Sequence, residues 1–377
     1  MSEFPTLQDV VLAAKQKLQG PTWDFLTYGS ETETTVRRNR RALDSLALVP
    51  RIMRDVSEVD PRTTLLGMNL RMPVILAPVG SIALFDPAGA LAAARAAERF
   101  GIAHIVSGYA DPGFEAVAKG SKAPLIYAFH PRYDWPFVDD LIDKVVAAGY
   151  RAIAFVAEAA YYSRRERDLM SGIQTKAKRS KPYAEWLGQQ RAERAAGKTP
   201  SKEGLLGTVI TWEMYERVKR RSDLPILLKG VTNAADARMA REHGVDVLYV
   251  SNHGGRAIDH GRGAAESLAE VIDAVGRDVD VMVDGGFVRG TDVLKAVALG
   301  AKAVAMGRMQ SWALAAGGEA GLVRTLEIIE EEIIVNMGLL GVNRLADLDR
   351  SYLAKTEPVG PAHPLSAFPV AMERILD

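Results

Sequence analysis

The 377-residue sequence predicts an α/β fold, a (β/α)8 TIM barrel, from two observations. From about residue 73 the sequence repeats one unit: a short apolar run, a polar or glycine-bearing turn and a stretch with helical spacing. Apolar strands that alternate with amphipathic helices are typical of buried parallel strands with crossover helices. Eight such strands in about 235 residues fit a closed barrel better than an open doubly wound sheet. The apolar runs lie at 73–79, 102–107, 124–129, 152–157, 225–230, 247–252, 280–286 and 303–307.

The composition is that of an ordinary globular protein, which we interpret as a single domain, 1–377. The 47 basic side chains are balanced by 47 acidic ones, so the basic excess of a nucleic-acid-binding protein is missing. The sequence has no cysteine, which excludes disulfides, thiolate nucleophiles and cysteine-ligated metal sites. The opening "MSEFPTLQDV" lacks a signal-peptide pattern, and no apolar run approaches the ~20 residues of a membrane helix. We therefore expect a cytoplasmic protein.

Three segments lie outside the repeating units. Residues 1–60 are predicted to form a helical cap with a polar turn near "YGSETE". The connection after the fourth strand, at 170–207, is basic and polar, and loops of this length are usually functional or unstructured. It predicts a mobile lid over the barrel mouth; weak contact with an anionic membrane surface or a partner, or a plain solvated loop, are the alternatives. The tail at 349–377 is expected to pack on the barrel exterior or on a neighbouring subunit.

Glycines and arginines follow the seventh and eighth strands, in "DGGFVRG" (284–290) and "GRM" (307–309). Loops after these strands commonly bind phosphate in such barrels. Glycine lets backbone N–H groups approach phosphate oxygens, and guanidinium groups add charge-assisted hydrogen bonds. Asp284 has the wrong charge for phosphate and suits a ribityl or ribose hydroxyl. The sequence thus predicts a phosphorylated cofactor or substrate, bound through Gly285, Gly286, Gly307, Arg308 and, as a second cation, Arg289.

A lysine and a histidine follow the fifth and sixth strands. Lys229 closes "PILLKG", and its buried stem requires an anion or acceptor for the ammonium. A reduced flavin, anionic near N1–C2=O, would meet that need; a Schiff-base lysine is the alternative. His253, in "VSNHGGR", suits a general base for a hydroxyl or Cα proton. Arg165 and Arg256 are predicted to clamp a carboxylate. Glu158 is predicted to orient the histidine and favour its cationic form.

The motifs "LPILLKGV", "VSNHGGR", "VDGGFVRGTDV", "KAVALGA" and "MGR" resemble those of the FMN-dependent α-hydroxy-acid oxidases and dehydrogenases, which include glycolate oxidase, lactate oxidase and mandelate dehydrogenase. The resemblance runs from the N-terminal cap to about residue 348. It implies a (β/α)8 barrel, noncovalent FMN, homotetramers and oxidation of a 2-hydroxy acid to a 2-oxo acid. The electrons would pass to oxygen, a quinone or another acceptor.

The resemblance also implies roles for single residues. Lys229 would face flavin N1 and O2, and His253 would be the catalytic base, while Arg165 and Arg256 would hold the substrate carboxylate. Gly80 would lie near flavin N5, where side-chain bulk affects oxygen access. The remaining cofactor contacts it implies are Pro78, Val79, Ser107 and Ser251 along the flavin, and Asp284, Gly285, Gly286, Arg289, Gly307 and Arg308 at the ribityl and phosphate end.

The chain departs from the family pattern at several of these positions. Phe25 and Phe129 replace tyrosines that help to bind the substrate carboxylate, and each lost hydroxyl–carboxylate bond is worth roughly 1.5–3 kcal/mol. The sequence therefore predicts a large or apolar substrate rather than a small polar one. Oxidation of a C–N bond, a non-redox FMN isomerase and a catalytically silent flavin-binding protein are the alternatives. The other departures are Tyr127 for a flavin-binding glutamine, Val156 for threonine, Glu158 for the aspartate that partners the histidine, and Tyr109 for a substrate-side aromatic residue, often tryptophan.

Overall fold

The computed structural model describes residues 4–18, 20–131, 135–173 and 210–376. Within these ranges, eight parallel strands form a closed barrel in which consecutive strands pair and the eighth pairs with the first. The predicted (β/α)8 fold is confirmed, and each predicted apolar run coincides with a barrel strand. In chain order the barrel strands are Val74–Leu76, His104–Ser107, Leu125–Phe129, Ala152–Val156, Ile226–Val231, Val247–Val250, Asp280–Val283 and Ala303–Met306.

Side chains alternate between the inner and outer faces of each barrel strand. The inner face is mostly small and apolar, with alanines such as Ala154 and Ala305 packed around Tyr249 and Met282. The outer face packs on the surrounding helices. At the carboxyl ends of the strands the inward positions become polar, which brings chemically active groups together at one end of the barrel. Those polar inward residues are Ser107, Lys229, Ser251 and Asp284.

Helices surround the barrel as the alternating pattern predicted. The helix Gly89–Phe100 buries most of its alanines and ends at Gly101, whose φ of +91° favours glycine. The last of the barrel helices, Arg308–Leu340, is kinked where Gly317 and Gly318 leave helical geometry. The other outer helices are Phe114–Gly120, Trp135–Ala147, Glu166–Ser171, Trp212–Arg221, Ala234–Glu242, Ala264–Val275 and Gly290–Leu299, with 3-10 turns at Ile82–Leu84, Leu345–Asp347 and Arg350–Tyr352.

The N-terminal segment forms the predicted helical cap, with helices Leu7–Lys17, Pro21–Thr27 and Thr34–Asp44. A capping box between Thr6 and Asp9 starts the first helix, since each side chain bonds the other's backbone N–H. The "YGSETE" turn lies between the second and third helices. Beyond the third helix the chain is no longer helical, and a hairpin of Thr63–Leu65 and Met68–Leu70 packs its apolar side chains against the barrel interior.

The C-terminal segment packs on the chain's own N-terminal region. Strand Leu353–Lys355 pairs antiparallel with Leu46–Leu48, and the helix Pro369–Leu376 lies on the first cap helix, where the Ala371 N–H donates to Gln8 Oε1 at 3.0 Å. Phe368 is fully buried against Trp312. Of the two placements expected for the tail, the structure therefore shows packing within the chain.

The predicted lid at 170–207 lies almost wholly outside the described residues, which stop at 173 and resume at 210. Across the described part of the chain, none of the helices combines the length and apolarity needed to cross a bilayer. Within the same residues, no three His, Asp or Glu side chains are grouped to hold a metal ion.

Candidate active site

Lys229 stands at the centre of the polar rim, at the inner face of the fifth barrel strand. Its side chain is 3% exposed, and its Nζ donates to Ser251 Oγ at 2.9 Å and to Glu158 Oε1. A buried ammonium needs such partners, because an unpaired charge in this setting is strongly unfavourable. The Lys229–Glu158 contact was not predicted; it joins the fifth barrel strand to the residue just beyond the fourth, its parallel neighbour.

A buried hydrogen-bond chain runs from Lys229 to Asp284. Ser251 Oγ donates to Asp284 Oδ1 at 2.6 Å, and the Tyr249 hydroxyl donates to Asp284 Oδ2 at 2.9 Å. Burial, followed by the Asp284 charge, raises the pKa of Tyr249 well above its usual value, so the phenol stays a donor. Sequence reasoning overlooked Tyr249, because a tyrosine inside the run "VLYV" looks like ordinary strand packing.

His253 lies in the loop after the sixth strand, in a left-handed conformation with φ of +58°. Non-glycine residues rarely adopt this region, and such strain concentrates at functional sites. Its Nδ1 lies 2.9 Å from Glu158 Oε1, and its backbone N–H donates to Ser251 Oγ at 3.1 Å. Glu158 therefore fixes the ring orientation as predicted, and Nε2 is the nitrogen left for a substrate.

Opposing effects set the charge state of His253. Burial lowers the pKa of His253, and the neighbouring Lys229 ammonium lowers it further. Glu158 acts in the predicted direction and raises this pKa, but it does not outweigh the other two effects. The predicted influence of Glu158 towards the cationic form is therefore confirmed in direction, but the net shift favours the neutral imidazole, which is the form that a general base requires.

Three arginines lie beside the histidine loop. The Arg256 guanidinium donates to the carbonyls of Phe25 and Tyr28, the latter at 2.9 Å, and lies 4.8 Å from the centre of the Phe25 ring. Arg165 is buried, and its Nη2 donates to the Arg256 carbonyl at 3.4 Å. Arg308 donates to the carbonyls of Thr27 at 2.9 Å, Gly254 at 2.8 Å and Tyr28 at 3.2 Å. The structure therefore brings the predicted cations together under the second cap helix.

This arginine cluster carries more positive charge than its surroundings neutralise. Burial lowers the pKa of Arg308 to about 10, with Asp284 opposing the shift and Arg165 adding to it. Burial lowers the pKa of Arg256 well below its usual value, and the charges of Arg165 and Arg308 lower it further. Bound anions would relieve this repulsion. The residues present thus fit a ligand with a phosphate and a second ligand with a carboxylate.

The glycine loop after the seventh strand is held by the cap. Gly285 and Gly286 have φ of +107° and +89°, and a Cβ on either would approach Asn39 of the third cap helix to 3.1 Å. Asn39 and Asn252 exchange side-chain hydrogen bonds of 3.0 and 2.7 Å, which ties the same helix to the histidine loop. Sequence reasoning overlooked Asn39, whose role depends on a partner more than 200 residues away.

Arg289 lies elsewhere than predicted. Its Nη2 pairs with Glu332 Oε1 at 2.5 Å, and Glu332 Oε2 also accepts from the Gly290 N–H. The guanidinium therefore fastens the seventh barrel helix to the eighth, and we leave the Arg289 side chain out of the phosphate set. Gly307 precedes the helix Arg308–Leu340, and a Cβ there would meet nothing closer than 3.8 Å, so its backbone is open to a ligand.

The first and second strands supply the opposite side of the rim. Pro78, Val79 and Gly80 follow the first strand and are partly exposed. A Cβ on Gly80 would lie 3.1 Å from Tyr109 Cβ and 3.5 Å from Ser107 Oγ. These predicted flavin-lining residues are thus brought together at the carboxyl end of the barrel, and Gly80 leaves space beside the tyrosine.

The predicted orientation of the third strand is wrong by one residue. Tyr127 and Phe129 point outward, where Tyr127 packs on Phe114 with ring centres 5.2 Å apart and Phe129 packs on Phe155 at 5.6 Å. Ile126 and Ala128 are the inward residues, and a one-residue shift exchanges the two faces of a strand. Neither Tyr127 nor Phe129 can therefore contact a ligand in the barrel mouth.

His130 is the residue that this corrected register brings to the rim. It follows the third strand at the next alternate position after Ala128, and its ring packs on Tyr109 with centres 4.1 Å apart and the ring planes tilted by 32°. Sequence reasoning overlooked it. Alternate residues from Ile126 are Ala128 and His130, so His130 could have been identified if the inward face of the strand had been known.

The fold and the rim define a barrel oxidoreductase that binds an anionic, phosphorylated cofactor. The chain belongs to the FMN-dependent dehydrogenase family, whose pattern matches residues 14–355. It is 35% identical to 4-hydroxymandelate oxidase of Amycolatopsis orientalis, over 90% of this chain and 95% of the relative. It is 34% identical to glycolate oxidase 1 of Zea mays, over 94% of this chain and 96% of the relative. A crystal structure of mandelate oxidase superposes with a TM-score of 0.84 at 33% identity, over 95% of this chain and all of the other. The family resemblance and the FMN cofactor are confirmed.

Proposed function

We propose that this protein oxidises a 2-hydroxy acid with a large apolar substituent to the corresponding 2-oxo acid. The observation that carries the proposal is the Glu158 carboxylate, which holds both a neutral His253 and a buried Lys229 at one rim, beside a cluster of arginines. The relatives include 4-hydroxymandelate, glycolate and L-lactate oxidases, each named for a 2-hydroxy acid.

His253 is the base in this proposal. Glu158 occupies Nδ1, so Nε2 takes the proton of the substrate hydroxyl or of its Cα. Bound FMN supplies the acceptor for the two electrons that leave the substrate carbon. Lys229 places a fixed positive charge in the buried rim, where it stabilises negative charge that develops on the cofactor.

Arg165 and Arg256 bind the substrate carboxylate. Their charges already repel each other across the cluster, so a carboxylate between them removes an existing cost as well as adding charge-assisted hydrogen bonds. Arg308, together with the open backbone of Gly307 at the start of a long helix, suits the phosphate of FMN.

Phe25 supports an apolar substrate. Its ring is buried, lies under the Arg256 guanidinium and packs 6.4 Å from the Phe85 ring. A phenyl or similar group gains from burial against such a wall, whereas a small polar acid finds no hydroxyl at this position. The proposal also includes a homotetramer, a cytoplasmic location and oxygen or a quinone as electron acceptor. It further includes contact of the 170–207 loop with an anionic surface.

The test is anaerobic bleaching of the purified yellow protein by a panel of substrates: mandelate, 4-hydroxymandelate, glycolate, L-lactate, hydroxy amides and amines. We expect the aromatic 2-hydroxy acids to reduce the flavin fastest, and H253N to slow that step at least 10²-fold without loss of FMN. The matched control is H243N, because His243 is also held by a glutamate, Glu216 at 2.8 Å, but on an outer helix.

Three results would overturn the proposal. Faster reduction by glycolate or L-lactate than by aromatic acids would contradict the substrate class. Reduction by amines alone would indicate C–N oxidation instead. Equal reduction rates in H253N and H243N would exclude His253 as the base.

A further inference from the structure

Glu158 contacts both Lys229 and His253 through one oxygen. Its Oε1 accepts from Lys229 Nζ and also lies 2.9 Å from His253 Nδ1. Its Oε2 is buried and has no hydrogen-bond partner among the described residues. The hydrogen bonds recorded for this carboxylate therefore go to the lysine and the histidine alone.

The Glu158 side chain lies against the backbone of Gly230. Gly230, with φ of +115°, lies directly against it: a Cβ at Gly230 would come within 2.7 Å of Glu158 Cβ and 2.8 Å of Oε2. The Ala157 N–H donates to the Lys229 carbonyl at 2.9 Å, so the backbones on both sides of the pair are fixed. The absence of a side chain at Gly230 makes room for a glutamate, one methylene longer than the aspartate of the family pattern.

We propose that Glu158 is a positioning residue that lowers the electron affinity of bound FMN by partly neutralising Lys229. This inference rests on the proposed function, which places Lys229 beside the flavin. The reduced cofactor gains negative charge that the ammonium stabilises, and a carboxylate in contact with that ammonium opposes the gain. The same carboxylate stabilises the imidazolium formed when His253 takes a proton. One side chain thus makes the base stronger and the oxidant weaker.

The experiment measures sulfite affinity of the FMN-loaded protein by its absorbance change. Sulfite adds to N5 of oxidised flavin and leaves negative charge near N1, so its affinity reports the positive charge at that edge without requiring turnover. We expect E158Q to bind sulfite about tenfold more tightly, because a like charge has been removed from a site of low effective dielectric. The same tenfold change corresponds to a rise of about 30 mV in the two-electron reduction potential, measured by equilibration with a redox dye.

Two further variants make the result specific. E158D keeps the charge but withdraws it from Lys229, so we expect sulfite affinity between those of wild type and E158Q. E216Q, which removes the carboxylate from the outer Glu216–His243 pair, should bind sulfite as wild type does. The acid limb of the pH–rate profile of E158Q should also move to lower pH, since His253 loses the partner that raises its pKa.

The outcomes separate this inference from the proposed function. If K229M weakens sulfite binding and E158Q leaves it unchanged or weaker, the role of Glu158 is wrong while the placement of Lys229 stands. If K229M changes nothing, the placement of Lys229 beside the flavin is itself wrong. If E158Q does not retain FMN, the sulfite affinity of E158D is the deciding measurement. A sulfite affinity of E158D no higher than that of wild type would refute the inference.

Discussion

Arg40 joins the cap to the glycine loop, and its replacement by methionine is a direct test of how the site is held. The guanidinium is almost fully buried and bonds Asp44 at 2.7 Å, Asp292 at 2.8 Å and the Gly286 carbonyl at 2.7 Å. R40M removes all three bonds at once and leaves the Asp292 carboxylate, itself 2% exposed, without its cation.

The expected cost follows from these contacts. Removing one partner of a buried ion pair typically costs about 3–5 kcal/mol. Asp292 keeps hydrogen bonds from the Val288 and Arg289 N–H groups, so we expect the lower end of that range, about 3 kcal/mol. For a chain of this size that corresponds to a fall of about 5 °C in Tm. FMN affinity should also fall at least tenfold, because Gly286 belongs to the proposed phosphate loop.

Calorimetry of the apo and FMN-loaded forms measures both effects. The matched control is R62M, because Arg62 pairs with Asp60 at 2.8 Å in a mostly exposed setting. Exposed pairs of this kind contribute about 0–1 kcal/mol. Equal Tm values for R40M and R62M, or an R40M protein that binds FMN as tightly as wild type, would refute the view that Arg40 fastens the cap to the cofactor loop.

Other predictions concern single titratable or aromatic groups. Because the pKa of His253 is lowered and the base acts when neutral, kcat/KM should stay constant through pH 7. The plot of log kcat/KM against pH should fall with unit slope only below about pH 6.5. A midpoint of that acid limb above pH 6.5 would contradict a neutral His253 at pH 7. Burial lowers the pKa of His104 to about 4, so the unfolded chain binds a proton at a higher pH than the folded chain does. The free energy of unfolding should therefore fall by about 1.4 kcal/mol per pH unit from pH 6.5 to 4. Denaturant titrations should show a smaller slope for H104L. H130F should keep the stack on Tyr109 and the FMN affinity but lower kcat/KM about tenfold or more, and an unchanged kcat/KM would remove His130 from the site. F25Y should improve kcat/KM for glycolate relative to mandelate about tenfold, and no change in that ratio would exclude Phe25 as a specificity residue.

The barrel and the main site residues were predictable because they follow a rule of position. Lys229, Ser251, Asp284 and Gly307 each end an apolar run, and the carboxyl ends of parallel strands meet at one rim whatever the details of packing. The resemblance then assigned the ligand to that rim.

The third strand shows where this kind of reasoning fails. "PLIYAF" is apolar on both faces, since its outer side chains are buried under helices, and so its sequence contains no alternation that marks the inward residues. The resemblance placed Tyr127 and Phe129 at ligand-contacting positions, one residue away from the inward face, and no local pattern in the run corrects that placement or indicates His130. Arg289 fails for a different reason, because its partner Glu332 lies on another helix, 43 residues further along, and no local pattern indicates the pair.

The cap that covers the site has a consequence for how the protein is made. Val36, in its third helix, packs within 2.7 Å of where a Gly255 side chain would begin, while Leu46–Leu48, just after that helix, pairs with Leu353–Lys355 near the other end of the chain. The cap can therefore complete its contacts around the binding cleft only after residues 353–355 have been synthesised. We therefore expect FMN affinity to be weaker in chains that stop before residue 353 than in those that contain it.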